Sequence, residues 1–318
     1  MKALVLSELR QRMRGKRWWI LLGIWFLSLF GLVALIRAAM DRANEVSGSG
    51  SQPEVGAMMF SSLALLVLAF ACLVLPALTA TSINGERDRG TLAILQATTL
   101  LPWQIVGAKF IAALVTAGAF LGATLPLVAW SMAEGGVPFD RAVATYLTLF
   151  GVSSVLLAGA MAASAIARRP ALSAVLAYGL VFFFTIGTLI LFGISMSTVD
   201  YSPSTGAPDH GPRWLILAPN PFVVLADASP ASRADQYDDP LAGIRYSIRE
   251  ARNPQSYRIE GFDPVTGEPI IPDEPRDPAP VWPYGLAIEG AFGVFALYVA
   301  RERLRVPAKR LPRGERIA

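Results

Sequence analysis

Cysteine and histidine are almost absent: the 318 residues hold Cys72 and His210 and no others of either type. A single cysteine excludes an internal disulfide framework, and a single histidine makes a histidine metal centre within one chain unworkable. No Ser/His/Asp or Cys/His catalytic arrangement assembles, because His210 lies in a polar connection away from the apolar runs. The phosphate-loop pattern G-x-x-x-x-G-K-[ST] is also missing, so the sequence offers no nucleotide cradle of that kind. Charge is scarce. Asp, Glu, Lys and Arg make up 16% of the chain, against about 25% in ordinary soluble domains, while 53% of residues are hydrophobic and mean hydropathy is +0.47. The scarcity is uneven, since long stretches without an ionisable side chain alternate with short, densely charged ones. That is the pattern of a chain whose solvent changes from lipid to water, and it excludes a pair of ordinary soluble domains.

A helix needs roughly 20 apolar residues to cross the hydrocarbon core. Six stretches meet that length: Trp18 to Ile36, Ala57 to Ala77, Phe110 to Met132, Ala142 to Ala167, Ala171 to Met196 and Val281 to Ala300. The first five hold no charge and the sixth holds one, Glu289. The fold class expected is therefore an all-α polytopic membrane protein with six transmembrane helices. An even number of spans puts both termini on one side, and Lys and Arg counts decide which. The N-terminal segment carries Lys2, Arg10, Arg12, Arg14, Lys16 and Arg17, and the tail carries seven basic residues from Arg301 to Arg316. With Arg87, Arg89, Lys109, Arg168 and Arg169, this face has 18 basic and 5 acidic residues; the other has 10 and 18. Both termini are predicted to be cytoplasmic. The basic clusters then serve topology beside anionic lipid rather than nucleic-acid binding. The first apolar run follows a basic stretch, as in a signal peptide, but its 19 residues exceed the roughly 7–15 of a signal core, and it is expected to remain as a span.

The organisation expected is an interfacial helix over 1–17, five spans over 18–197, an outer connection over 198–280, a sixth span over 281–300 and a basic tail over 301–318. The N-terminal helix carries Leu6, Leu9 and Met13 on one stripe, with arginines close enough to it to require snorkelling. The outer connection holds 13 acids, 7 arginines and 14 of the 23 prolines, a composition that predicts mostly irregular structure. Within it, Ser256 to Ile271 reads as a small β-hairpin around Asp263 to Gly267. Trp214 to Ala226 is apolar but too short to span and is broken by Pro219 and Pro221, so it dips into the outer leaflet or caps the bundle, or else runs as a surface loop. The outer carboxylates match no calcium loop and read as solvated acidic surface.

The connection between the second and third spans, Thr79 to Lys109, has more design than a turn requires. A charged cluster, Asn84 to Arg89, emerges from the second span. Gly90 permits a break, Thr91 can cap a new helix, and Leu92 and Leu95 give that helix an apolar edge. Pro102 suits a first helical turn, and Trp103 suits the headgroup level. On physical grounds alone this is either a partner-docking element or a passive re-entry loop. The run Gly85-Glu86-Arg87-Asp88-Arg89-Gly90-Thr91-Leu92, followed by Leu95, Pro102-Trp103 and Lys109, resembles the G-E-R-E-x-G-T-L … L … P-W … K signature of type-2 ATP-binding-cassette (ABC) exporter permeases. Asp88 stands where that family commonly has a second glutamate, and the outer connection is long for it. The resemblance implies a coupling helix within 84–103 that fits a groove on a cytoplasmic ATPase, with Glu86, Arg87 and Arg89 as charged contacts and Leu92 and Leu95 as apolar ones. It further implies that ATP and magnesium are bound by that partner rather than by this chain, which is not itself an enzyme. It also implies a complex of two ATPases with two permease chains, identical or not.

Inside the membrane, Glu289 is the outstanding polar group, since a charge at the bilayer centre costs about 2.5–3.5 kcal/mol on insertion scales. It reads as a substrate or proton site, or as a structural hydrogen bond between helices. Gly118 and Gly122 form a GxxxG pair, and Gly159, Ala160 and Ala163 give the fourth span a smooth face; both suggest close helix packing. Phe182, Phe183 and Phe184 suit packing or lipid contact. Cys72 reads as a small apolar filler. Two rival functions stay open. An ATP-independent secondary transporter predicts inverted repeats or several midplane polar residues, and a membrane anchor would simply present the outer connection.

Overall fold

The computed structural model describes residues 2–13, 15–47, 55–88, 90, 101–197, 200–201, 208–209, 211–230, 239–252, 261–262, 269–270 and 279–304. Within them, six helices are long and apolar enough to cross a membrane. A short helix α1 (Lys2–Met13) precedes the first span, α2 (Lys16–Ser47); the second is α3 (Val55–Thr79), followed by the single turn α4 (Asn84–Asp88). The third span comprises α5 (Pro102–Ala123) and α6 (Leu125–Ala133), and the fourth is α7 (Phe139–Ile166). The fifth comprises α8 (Pro170–Phe182), a π-helical turn (Phe183–Gly187) and α9 (Thr188–Met196). A 3-10 turn (Gly211–Ile216), α10 (Pro221–Ala228) and α11 (Pro240–Arg252) then lead to the sixth span, α12 (Trp282–Leu304).

The helices outrun the apolar stretches wherever a charge finds a partner. Helix α2 continues past Ile36 because Arg37 pairs with Asp41 one turn on and with Glu134 at 3.0 Å. The hydrogen bond from Arg37 also holds the Glu134 carboxyl below its ordinary range. The third span begins at Pro102, eight residues before the apolar run, so Lys109 sits inside α5. Its break at Thr124 follows from Pro126, whose ring nitrogen cannot bond the preceding turn. Thr124 Oγ1 instead donates to the Leu121 carbonyl at 2.7 Å and meets Tyr146 Oη at 2.7 Å.

Helix α3 runs through the centre, with Met59, Phe60, Leu63, Ala64, Val67 and Leu68 sealed from solvent. Helix α7 packs along both α3 and α12. By contrast α2 and the fifth span lie at the edge: Ile20, Ile24 and Leu27, and likewise Leu172, Val175, Phe182 and Ile194, point outward, as lipid-facing residues should.

The described parts of the 198–280 connection hold more helix than its prolines suggest. Pro221 and Pro240 stand in the first turns of α10 and α11, where a missing N–H costs nothing. The segment from Trp214 to Ala226 is no surface loop, because Leu217, Ala218 and Val223 to Ala226 are all buried. It forms the inner layer of a helical cap over α3, α7 and α12. Two antiparallel pairs of two residues each complete this region: Asp200–Tyr201 with Pro208–Asp209, and Gly261–Phe262 with Pro269–Ile270. The turn at 263–268 lies outside the described residues.

The cap sits close enough to dictate glycine. A Cβ on Gly285, in the first turn of α12, would collide with the Ala218 carbonyl and the Val224 side chain, whereas one on Gly290 would meet nothing within 4 Å. Gly285→Ala is therefore expected to cost about 1–3 kcal/mol, the usual range for overpacking. Gly290→Ala is the matched neutral control. Thermal unfolding of the two purified variants in detergent checks the difference, and equal midpoints would refute it.

Candidate functional site

At one end of the bundle α1, α4, the α7–α8 turn and the last residues of α12 come together. The chain enters α4 under tight control. Ser164 Oγ accepts from the Ile83 and Asn84 amides at 3.0 and 3.1 Å, and Ser173 Oγ donates to the Ala80 carbonyl. Ile83 packs in an apolar cluster with Ile105 and Val106 of α5, Met161 and Ala165 of α7, and Ala300 and Leu304 of α12. The base of α4 is thus seated on three spans at once.

The charged residues of the signature are not equivalent. Glu86 turns inward, its Oε1 accepting from Lys109 Nζ at 2.6 Å. Lys109 is 2% exposed and also reaches Glu8 Oε1 of α1 at 2.7 Å. Arg87 donates through Nη1 to the Ala167 carbonyl at 3.3 Å, which ties α4 to the α7–α8 turn beside the exposed Arg168 and Arg169. Gly90 closes the turn with φ +69°, a conformation that favours glycine, and its amide bonds the Arg87 carbonyl at 3.0 Å. The Asp88 side chain, Arg89, Thr91, Leu92 and Leu95 lie outside the described residues. Helix α5 then restarts at Pro102, with Gln104 Oε1 accepting from the Leu101 amide at 3.0 Å, and Trp103 stands about half exposed beside it. Sequence reasoning counted Lys109 as a signature residue but missed its role as the meeting point of two carboxylates.

The opposite end holds a second polar network, which the sequence did not announce. Arg141, in the first turn of α7, is 1% exposed. It pairs with Asp239, donates to Ser61 Oγ at 3.0 Å and to Ser229 Oγ at 3.4 Å, and lies over the Phe60 ring. Asp239 in turn accepts from the Leu241 amide at 3.0 Å, capping α11. Asp227 accepts from Arg249 Nε at 2.5 Å and from the Val281 and Trp282 amides at 2.6 and 2.7 Å, capping α12. Arg245 donates to the Ser229 carbonyl at 2.9 Å; burial, followed by the nearby Arg249 and Arg141, lowers its guanidinium from the ordinary value. Asn220 caps α10 through the Phe222 amide and donates from Nδ2 to the Thr185 carbonyl and to Thr188 Oγ1, both at 2.8 Å. Those acceptors lie in and beside the π-helical turn of the fifth span, where the wider winding leaves carbonyls without their usual helical partner. The cap is therefore bonded to the fourth, fifth and sixth spans or to their immediate ends.

Glu289 is 2% exposed, buried within the chain itself. It lies between Gly285, where a Cβ would strike the cap, and Gly293, where a Cβ would stand 3.5 Å from Val155 of α7, and it is within electrostatic reach of Cys72. Its Oε2 has no hydrogen-bond partner among the described residues. A Cβ on Gly159 would come within 3.3 Å of the Phe292 ring and Ala163 is buried among alanines, so the fourth span's smooth face is a helix contact. The GxxxG pair is not a close crossing within this chain: a Cβ on Gly118 reaches only Phe150, at 3.9 Å, and one on Gly122 meets nothing within 4 Å. Phe184 packs on Phe292 at 5.0 Å between centroids, while Phe182 and Phe183 stay about half exposed.

No curated protein matches the chain. A family model described as "ABC-2 family transporter protein" matches residues 2–251, from α1 through the first five spans to the end of α11. With six membrane-spanning helices and a match over most of its length, the chain belongs to the ABC-2 transporter family and is a multi-pass membrane permease.

Proposed function

We propose that the chain is the membrane subunit of an ATP-driven exporter of the plasma membrane, coupled to a separate cytoplasmic ATPase through the 84–103 connection. The observation that carries this reading is the seating of α4. Its base packs against α5, α7 and α12, and its side chains engage α5 and the α7–α8 turn, so a push on α4 is delivered to most of the bundle. That is what a transmission element requires and a passive re-entry loop does not. The charge counts put this end, with both termini, in the cytoplasm and put the cap and the 198–280 connection outside. ATP and magnesium belong to the partner, and two ATPases with two permease chains make the working unit. Glu289 is the intramembrane polar group of the pathway in this reading, although its carboxyl faces the protomer's own helices.

Co-purification with candidate ATPases, followed by measurement of ATP turnover in the complex, tests the proposal. Leu92→Asp, which sets a charge in an apolar contact, is expected to weaken association roughly ten-fold or more. Glu86→Ala is expected to leave association closer to intact and to reduce turnover, because Glu86 bonds Lys109 within the chain. Failure of any ATPase to associate would sink the reading.

A further inference from the structure

Three observations meet at the base of α4. Lys109 is buried and holds two carboxylates from distant parts of the chain, Glu8 of α1 at 2.7 Å and Glu86 of α4 at 2.6 Å. Among the described residues, its bond to Glu8 is the one ion pair that ties α1 to the rest of the protein. Ser82 Oγ and both polar atoms of the Asn84 side chain are buried at the entry to α4 without a hydrogen-bond partner among the described residues. Buried polar groups are normally paired, and orphans are costly, so the position of α4 seen here leaves bonding capacity unused at its hinge. A displaced α4 has polar groups available to satisfy.

We infer that Lys109 is a positioning residue that makes the N-terminal helix a moving part of the coupling apparatus. Its ammonium bridges Glu86 and Glu8, so that displacement of α4 carries α1 with it. This rests on the reading of α4 as the ATPase-coupled element. The spans receive the motion of α4 through the apolar seat of Ile83, which needs no charge. Helix α1 has no place in that seat; it packs on α5 and α2, and its charged tie to α4 runs through Lys109. The pairing also explains how a lysine comes to lie 2% exposed within a helix that begins a span: the two carboxylates more than neutralise it. Removing Glu8 leaves the Lys109–Glu86 pair in place, so Glu8→Ala cuts the ionic tie to α1 without stranding Lys109.

The experiment uses the full permease with its ATPase in lipid nanodiscs. A Cys72→Ala background removes the only cysteine, and spin labels go on cysteines placed at the exposed Ser7 of α1 and Arg168 of the α7–α8 turn. The label-to-label distance distribution is compared without nucleotide and with a non-hydrolysable ATP analogue. It is expected to shift on adding the analogue in the parent complex, to lose that shift in Glu8→Ala, and to keep it in Lys109→Arg, which preserves both bridges. ATPase association should survive in all three. A shift that persists in Glu8→Ala, or a parent complex that hydrolyses ATP without any shift, overturns the inference and leaves the coupling reading standing. A parent chain that recruits no ATPase overturns both.

Discussion

Arg141→Leu is expected to cost about 3–5 kcal/mol, because removing one partner of a buried pair leaves the other charge stranded. The stranded group is Asp239, which is 5% exposed and already committed to capping α11. Arg141 also ties Ser229 at the end of α10 and Ser61 of α3, so its loss frees two attachments of the cap and one between α7 and α3. Thermal unfolding in detergent should show the loss, accompanied by faster proteolysis within α11. The double variant Arg141→Leu/Asp239→Asn separates the causes. Asparagine keeps the cap on the Leu241 amide and removes the stranded charge, so most of the lost stability should return. If the double variant is no better than Arg141→Leu alone, the pair is not what holds the cap.

The number of spans was legible because lipid imposes a local rule: a charge-free run of sufficient length crosses, whatever its neighbours. The ends of the spans were not, because they depend on partners far away in sequence. Arg37 extends the first span by meeting Glu134, and Lys109 starts the third early by meeting Glu8 and Glu86. The same limit applied to the cap. Its prolines marked irregularity by composition, yet two of them occupy first turns, where proline favours a helix. Asn220, Asp227, Arg141 and Asp239 looked like ordinary loop and boundary residues until the fold brought them together. The signature over Gly85 to Leu92 was readable as a pattern, but the inward turn of Glu86 was not, since nothing local separates a carboxylate aimed at a partner protein from one aimed at a lysine 23 residues on. Gly159 and Gly122 make the same point in reverse: similar small residues, one under Phe292 and the other in open space.

Asp227→Ala should be comparably severe, by a different route. The Asp227 carboxylate is 2% exposed as a residue and accepts three hydrogen bonds, one from Arg249 and two from the first amides of α12. Hydrogen bonds to a charged group are worth about 1.5–3 kcal/mol each, and a carboxylate at a helix N-terminus gains about 0.3–2 kcal/mol from the helix dipole. These terms overlap, so a loss of about 3–5 kcal/mol is expected, in line with other broken buried pairs. Asp227→Asn keeps one acceptor oxygen and loses the charge, and should fall between alanine and the parent. Hydrogen exchange gives the sharper test, because only a capping role predicts that protection at Val281 and Trp282 falls first, ahead of the middle of α12. Uniform loss along the helix would instead mean that Asp227 supports the cap as a whole. The distinction bears on the rest of the sixth span, since Gly285 and Glu289 follow within the next two turns.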